Sequence, residues 1–136
     1  MKKTLKAVIE FADNNYTAYL ADIDVIIGIG DTLDDVKKSL EESIAFTLEE
    51  AEADGVEVPE QLRGEYELKY TFDLPTFLQV YNKVVSKSGL ERITGINQKQ
   101  LWHYANRIRN PKPETVKKVA NSIHKFAEEL LNVEFA

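Results

Sequence analysis

The chain has 136 residues and a formal net charge of −6 at pH 7, which allows one ordinary domain or two small ones. It has no cysteine, which excludes disulfide bonds and cysteine zinc sites. No apolar run approaches the length of a membrane span, and polar residues come too early for a signal peptide, so we expect a cytoplasmic protein without a membrane partner.

Residues 1–73 have the pattern of a sheet domain. Four segments read as strands: residues 4–11 and 65–73 by alternation of apolar and polar residues, residues 25–30 by a continuous apolar run, and residues 16–20. The continuous run predicts a third strand that is covered on both faces. A Thr32 cap paired with Asp35 begins a helix that ends before Gly55. The order β-β-β-α-β predicts an α+β domain.

Residues 76–136 predict an all-helical domain. Pro75 suits the first turn of a helix, whose predicted buried stripe is Phe77, Val80, Tyr81, Val84 and Val85. A last helix begins at Pro113, and apolar residues continue past its end at Val133 and Phe135. We interpret this surplus of apolar residues as a self-association surface, which predicts a homodimer or a higher oligomer.

Residues 88–110 between these helices read as two short helices joined by a tight turn. Ser88 and Glu91 have the spacing of a capping box. Gly95 stands where a left-handed backbone reverses the chain, and Asn97 caps the second helix. The predicted inward side of that helix is Leu101, Tyr104, Ala105 and Ile108. This is the outline of a helix-turn-helix.

The residue types on the other side of the second helix predict contacts with DNA. Amides and a lysine near a helix N-terminus suit base edges in the major groove, and the predicted base-reading residues are Asn97, Gln98, Lys99, Trp102 and His103. Nearby cations suit phosphates rather than bases: Lys87, Arg107, Arg109 and Lys112. The alternatives are an ordinary solvated face, a dimer contact at Trp102, and cations that serve solubility alone.

Charge divides the chain into two unlike halves. Residues 1–75 contain seven Lys and Arg against eighteen Asp and Glu, a net of −11. Residues 76–136 contain ten against five, a net of +5, and eight of the basic residues lie between Lys87 and Lys118. The two halves therefore suit different partners, a cationic one and a polyanion.

Residues 19–36, YLADIDVIIGIGDTLDDV, resemble the N-terminal signature of HicB-family antitoxins. The matching residues are Tyr19, Asp22, Gly30, Asp31, Thr32, Leu33, Asp35 and Val36. The chain departs from the family at Ile23-Asp24-Val25, where members usually have Pro-Gly or a similar pair. The resemblance extends over the whole chain, in the version of the family that has a C-terminal helix-turn-helix.

The resemblance implies a function for each domain. Residues 1–73 would form a reduced ribonuclease H-like fold without a working active site, and would bind and inhibit a HicA-like basic toxin that cleaves messenger RNA. Residues 76–136 would bind operator DNA and repress the operon. The residues expected to contact the toxin are Tyr19, Asp22, Asp24, Asp31, Asp34 and Asp35. No catalytic residue, metal or cofactor is expected.

Two other functions stay open. The chain could be a stand-alone repressor whose N-terminal domain binds a small ligand or only oligomerises. It could also be an active nuclease in which the aspartates between Asp22 and Asp35 hold divalent ions, although those near Thr32 have a simpler role at a helix start. Gly28 and Gly30 before that helix could cradle a phosphate, but close packing of strand and helix also explains them.

Overall fold

The computed structural model describes residues 2–136, apart from the side chain of Asp24. The chain divides into two compact units, Met1–Asp73 and Leu74–Ala136. The first unit contains β1 (Lys3–Ala12), β2 (Asn15–Leu20), β3 (Ile23–Gly30), α1 (Leu33–Asp54), a 3-10 turn (Glu60–Leu62) and β4 (Tyr66–Phe72). The second contains α2 (Leu74–Val80), α3 (Lys87–Thr94), α4 (Gln98–Ala105) and α5 (Pro113–Leu131). The predicted α+β class and the β-β-β-α-β order are confirmed.

The four strands form one sheet in the order β3-β2-β1-β4. The first three strands are an antiparallel meander, and β4 returns to pair with β1 in parallel. A parallel return needs a long crossover, which here is α1 and the segment after it. As a result β3 and β4 are the two edge strands.

Helix α1 packs closely against β3 on one face of the sheet. The buried residues between them include Ile26, Val36, Leu40 and Ile44. A Cβ at Gly28 would lie 2.4 Å from the backbone nitrogen of Leu40, and one at Gly30 would lie 2.5 Å from that of Val36. Close backbone packing therefore accounts for both glycines.

The opposite face of β3 is exposed, so the prediction of a strand covered on both faces is wrong. The exposed fractions are 82% for Val25, 50% for Ile27 and 60% for Ile29, whereas Ile26 is 4% exposed. Side chains alternate between the faces of a strand, and α1 covers only the face of Ile26. A continuous apolar run cannot distinguish these two situations.

Two serines of α1 bind the backbone at the free edge of β3. The amide of Ile29 donates to Ser39 Oγ at 3.0 Å, and Ser43 Oγ donates to the carbonyl of Ile27 at 2.8 Å. Unpaired backbone groups at a sheet edge are otherwise available to an added strand. These two backbone groups are therefore not free to pair with an added strand.

The core of the second unit gathers residues from each of its helices: Leu74, Leu78, Leu90, Leu101, Tyr104, Ala105 and Val119. The stripe predicted for α2 is wrong in part, since Tyr81 is 37% and Val84 is 83% exposed. Helix α2 ends at Val80, and the amides of Val84 and Val85 both donate to the carbonyl of Tyr81 in a turn. Helical spacing no longer applies beyond that point.

Candidate nucleic-acid and protein interfaces

Helix α3 begins two residues earlier than the capping box predicts. Ser86 is the N-cap, and its Oγ accepts a hydrogen bond from the amide of Gly89 at 3.0 Å. Ser88 lies inside the helix and is exposed. Both serines satisfy the local cap preference, and the structure uses the earlier one.

The turn from α3 to α4 is held by short-range hydrogen bonds, and the predicted left-handed Gly95 and Asn97 cap are both confirmed. Gly95 has a φ of 78°, the left-handed conformation that glycine adopts without strain. Thr94 Oγ1 donates to the carbonyl of Leu90 at 2.6 Å and accepts from the amide of Ile96 at 3.1 Å. Asn97 caps α4, with its Oδ1 accepting from the amide of Gln100 at 2.8 Å.

Glu91 joins the two helices instead of capping its own. Its Oε2 accepts a hydrogen bond from the backbone amide of Gln98 at 2.8 Å. Gln98 is the first residue of α4, where amides lack helical partners and the helix dipole favours negative charge. The carboxylate of α3 therefore fixes the start of α4, so the sequence-based role for Glu91 is wrong.

Helix α4 has one exposed and one buried side. Gln98, Lys99 and Trp102 point to solvent, with Trp102 48% exposed. Leu101 and Tyr104 lie in the core on the opposite side. Three predicted base-reading residues therefore share one accessible face.

The other two predicted base-reading residues are more constrained. Asn97 is exposed, but its side-chain oxygen already serves as the cap of α4. His103 is half-buried, and its ring centroid lies 5.7 Å from that of Trp102 with the two planes at 63°. Its Nδ1 is buried and has no hydrogen-bond partner among the described residues.

Ile108 was predicted to face inward, but it is 57% exposed. Helix α4 ends at Ala105, and Arg107 has a φ of 60°, so the chain has left helical geometry before Ile108. Gln79 Nε2 donates to the carbonyl of Ala105 and so satisfies the end of the helix. The predicted inward position of Ile108 is therefore wrong.

The predicted phosphate-binding residues lie at the start of α3 and in the segment between α4 and α5. Arg107 donates from a guanidinium nitrogen to Thr76 Oγ1 at 3.3 Å, and Lys87 Nζ donates to Asn82 Oδ1 at 3.1 Å. Arg109 and Lys112 are exposed in the segment before α5.

The sequence interpretation missed a further cation, Lys118. Its Nζ lies 3.9 Å from the position that a Cβ would take at Gly95. Helix α5 therefore places an ammonium group beside the turn between α3 and α4. The only sequence signal was the basic run from Lys87 to Lys118, which does not say which of its members reaches the turn.

The acidic residues expected to contact a toxin do not form one cluster. Asp22 lies before β3, whereas Asp31, Asp34 and Asp35 lie beyond its other end at the start of α1, all with exposed side chains. Eight extended residues span roughly 26 Å at about 3.3 Å each. The side chain of Asp24 lies outside the part of the chain that the structure describes.

Exposed apolar side chains occupy the space between these two acidic ends. We call Val25, Ile27, Ile29 and Phe46 the β3 surface; Phe46, on α1, is 60% exposed. A groove of about 480 Å³ runs between Val25, Ile27 and Phe46, with Glu42 and Glu50 also in its lining.

Tyr19 extends this exposed side onto β2. It pairs in register with Ile27, and its hydroxyl donates to Glu10 Oε1 at 3.0 Å. The result is an apolar surface with acidic groups at its ends and along its rim. Sequence analysis missed the apolar part because it assigned the run to the core.

Comparison of the chain with protein-family models, with curated proteins and with solved structures gives no match. Over the described residues, no helix combines the length and apolar character needed to cross a bilayer.

Proposed function

We propose that this protein is a two-domain antitoxin and repressor of the HicB kind. In this proposal the second unit is a helix-turn-helix that binds operator DNA, and the first is a reduced ribonuclease H-like domain that binds a small basic RNA-cleaving toxin in the cytoplasm. The resemblance of residues 19–36 motivates the choice of partner. The observation that carries the DNA-binding half is the accessible face of α4.

DNA binding is supported by the form and charge of α4. Its exposed face carries Gln98 and Lys99 in its first turn, where a recognition helix contacts base edges. The bond from Glu91 fixes that turn, which lowers the ordering cost of binding. Lys118 adds a cation beside the turn before α4, and Arg109 is an exposed cation in the segment after α4, both suited to phosphate contacts.

Toxin binding is supported by the β3 surface. Exposed apolar patches on an otherwise polar protein mark interaction sites, and this one is rimmed by carboxylates such as Glu42 and Glu50. A basic protein with an apolar contact area matches that combination. Because Ser39 and Ser43 occupy two of the backbone groups at the strand edge, we expect the partner to dock through side chains and not to add a strand.

The same geometry disfavours the other two functions. A small-ligand site typically encloses its ligand, whereas the groove of the β3 surface is open to solvent and is lined by exposed side chains. A two-metal nuclease holds its ions about 3.5–4 Å apart. Asp22 and Asp31 stand at opposite ends of β3 and cannot share such a pair.

DNA binding is tested by fluorescence anisotropy with the duplex upstream of the protein's own gene. Replacing Gln98 or Lys99 with Ala should weaken operator binding by about 1–3 kcal/mol for each lost base contact. Binding to an unrelated duplex should change less for Gln98→Ala, because that side chain carries no charge.

Lys38→Ala is the matched control, since Lys38 is an exposed lysine on a helix of the other unit. It removes the same charge and should leave operator affinity unchanged. Equal losses of operator affinity in Lys38→Ala and Lys99→Ala would show that only net charge matters. That result would exclude α4 as the helix that contacts the bases.

Toxin binding is tested by co-purification of the full chain with the product of a neighbouring basic reading frame. The double variant Ile27→Ser, Ile29→Ser removes exposed apolar side chains and should release the partner while keeping operator affinity. Val56→Ser is the control: it alters an exposed aliphatic side chain, 62% accessible, that is not part of the β3 surface, and it should retain the partner. Retention of the partner by the double variant would exclude the β3 surface as the binding site.

A further inference from the structure

Strand β4 forms an edge of the sheet with free backbone groups. The amide of Lys3 donates to the carbonyl of Glu65 at 3.1 Å. Because the bonds of a parallel pair recur at every second residue, the odd-numbered residues of β4 turn their backbone groups toward β1. The even-numbered residues Tyr66, Leu68 and Tyr70 turn theirs away from the sheet. Within residues 2–136, the outward groups of Leu68 and Tyr70 make no backbone hydrogen bond.

The two edges of the sheet therefore differ. At β3, Ser39 and Ser43 occupy two outward backbone groups. At β4, a groove of about 330 Å³ lies beside the strand, and its lining is Glu41 and Ile44 of α1 with Tyr66, Leu68 and Tyr70 of β4. Free backbone groups at a sheet edge can pair with a strand of another molecule. The edge at β4 is the one with groups available for such pairing.

The side chains on the other face of β4 carry opposite charges that are both exposed, Glu67 and Lys69. Lys69 lies beside Lys6 in the register of β1 and β4, and it forms no ion pair within the described part of the chain. Glu67 Oε1 accepts a hydrogen bond from Thr4 Oγ1 at 3.3 Å. A carboxylate on the open side of Lys69 would offset the repulsion between the two lysines.

These charges select one register of antiparallel pairing between two copies. In a two-fold pair, residues at equal distances on either side of the axis lie opposite each other. An axis at Leu68 places Glu67 opposite Lys69 of the second copy, and it does so twice in each dimer. An axis one residue to either side places Glu67 opposite Glu67, or Lys69 opposite Lys69, which is unfavourable.

The backbone of β4 is suited to the same register. With the axis at Leu68, the outward groups of Leu68 meet those of its own copy, and those of Tyr66 meet those of Tyr70. These are hydrogen-bonded pairs, whereas Glu67 and Lys69 then form a non-hydrogen-bonded pair, in which side chains come closer. Tyr66, Leu68 and Tyr70 pack against the core on the α1 face. Pairing would therefore add aromatic cross-strand contacts on that face.

We propose that β4 pairs antiparallel with β4 of a second copy, with Leu68 at the two-fold axis, so that the first units of the two copies form one continuous sheet. A strand from a basic protein would bring cations to Lys69 as well as to Glu67, so the alternating charges fit a second copy better. The β3 surface lies at the opposite edge of the sheet. The proposal therefore depends on neither DNA binding nor toxin binding.

Disulfide trapping in the full chain tests the pairing and its register. The chain has no cysteine, so every cross-link comes from the introduced thiols. Chains with Glu67→Cys and chains with Lys69→Cys are mixed in equal amounts and treated with oxidised glutathione. In the proposed register the two substituted positions have Cα atoms about 4.5 Å apart, a separation that a disulfide spans. The mixture should form a covalent dimer on a non-reducing gel.

The controls use the same face of the same strand. Glu67→Cys by itself and Lys69→Cys by itself should form little covalent dimer, because equivalent positions are diagonal neighbours about 7–8 Å apart. Glu65→Cys mixed with Lys69→Cys is the matched control. Those two positions oppose each other only when the axis is at Glu67, so this mixture should also form little covalent dimer.

Hydrogen exchange followed by mass spectrometry tests the unmodified chain, which removes any doubt about the folding of the variants. The peptide that covers β4 should exchange at least about threefold more slowly at about 100 μM than at about 1 μM, because dimers of typical affinity form between these concentrations. The peptide that covers β3 is the control. The Ile29 amide is bonded within its own chain, so its exchange should not depend on concentration.

Two results would overturn the proposal. Exchange of the β4 peptide that is equal at both concentrations would exclude pairing through this edge. A covalent dimer that forms no better in the mixture of Glu67→Cys and Lys69→Cys chains than in the three controls would exclude the register with Leu68 at the axis.

Discussion

Removing the Glu91 carboxylate should loosen the α3–α4 pair. A hydrogen bond to a charged group contributes about 1.5–3 kcal/mol, and the Glu91 bond to the amide of Gln98 is 2.8 Å long at a half-buried site. Because water competes for a half-buried carboxylate, we expect Glu91→Ala to lower the free energy of unfolding by about 1–2 kcal/mol. Glu91→Gln keeps an acceptor but loses the charge at the helix dipole, and should lose about half as much.

The assay is urea unfolding followed by tryptophan fluorescence. Trp102 is the only tryptophan in the chain and lies on α4, so its signal reports the second unit. Glu128→Ala removes an exposed glutamate from α5 and is the control. If the free energies of unfolding of Glu91→Ala and Glu128→Ala agree within about 0.3 kcal/mol, the bond to Gln98 does not hold the two helices together.

Two further predictions concern the first unit. Gly28→Ala would place a Cβ 2.4 Å from the Leu40 backbone nitrogen and should destabilise the unit by about 1–3 kcal/mol or more in thermal unfolding followed by circular dichroism; an unchanged midpoint would contradict the close packing. Burial, and then the charge of Glu41 and a hydrogen bond to it, raise the pKa of Tyr70 from 10.0 to about 12. The raised pKa means that the folded unit favours neutral Tyr70, so this contribution to stability is full below pH 10 and is lost as the pH rises toward 12. An ultraviolet titration should show a late tyrosine phase that Tyr70→Phe removes; persistence of that phase in the variant would assign it elsewhere.

Short-range signals were the ones that predicted structure well. The cap at Asn97 and the glycine at Gly95 are confirmed because each depends on the backbone of neighbouring residues alone. The start of α3 lies two residues earlier than predicted, since Ser86 and Ser88 offer the same local chemistry. Local preference therefore locates a helix end to within about one turn.

Contacts between distant segments explain the errors at the candidate sites. Glu91 has a partner on the next helix, and Lys118 reaches the Gly95 turn from α5. The apolar character of Ile27 was visible in the sequence, but its exposure depends on which face α1 covers. None of these facts follows from residue type or spacing.

The sequence by itself determined the element order, the caps and turn that shape α4, and the division of charge between the two halves. These depend on local backbone preference and on composition. Tertiary structure decided that β4 lies parallel to β1 and that β3 is an edge strand with one open face. It also decided that Val119 of α5 is buried while Leu130 of the same helix is exposed. The physical reason is that burial and strand pairing depend on contacts between segments far apart in the chain. The type of an apolar residue does not indicate whether another segment will cover it.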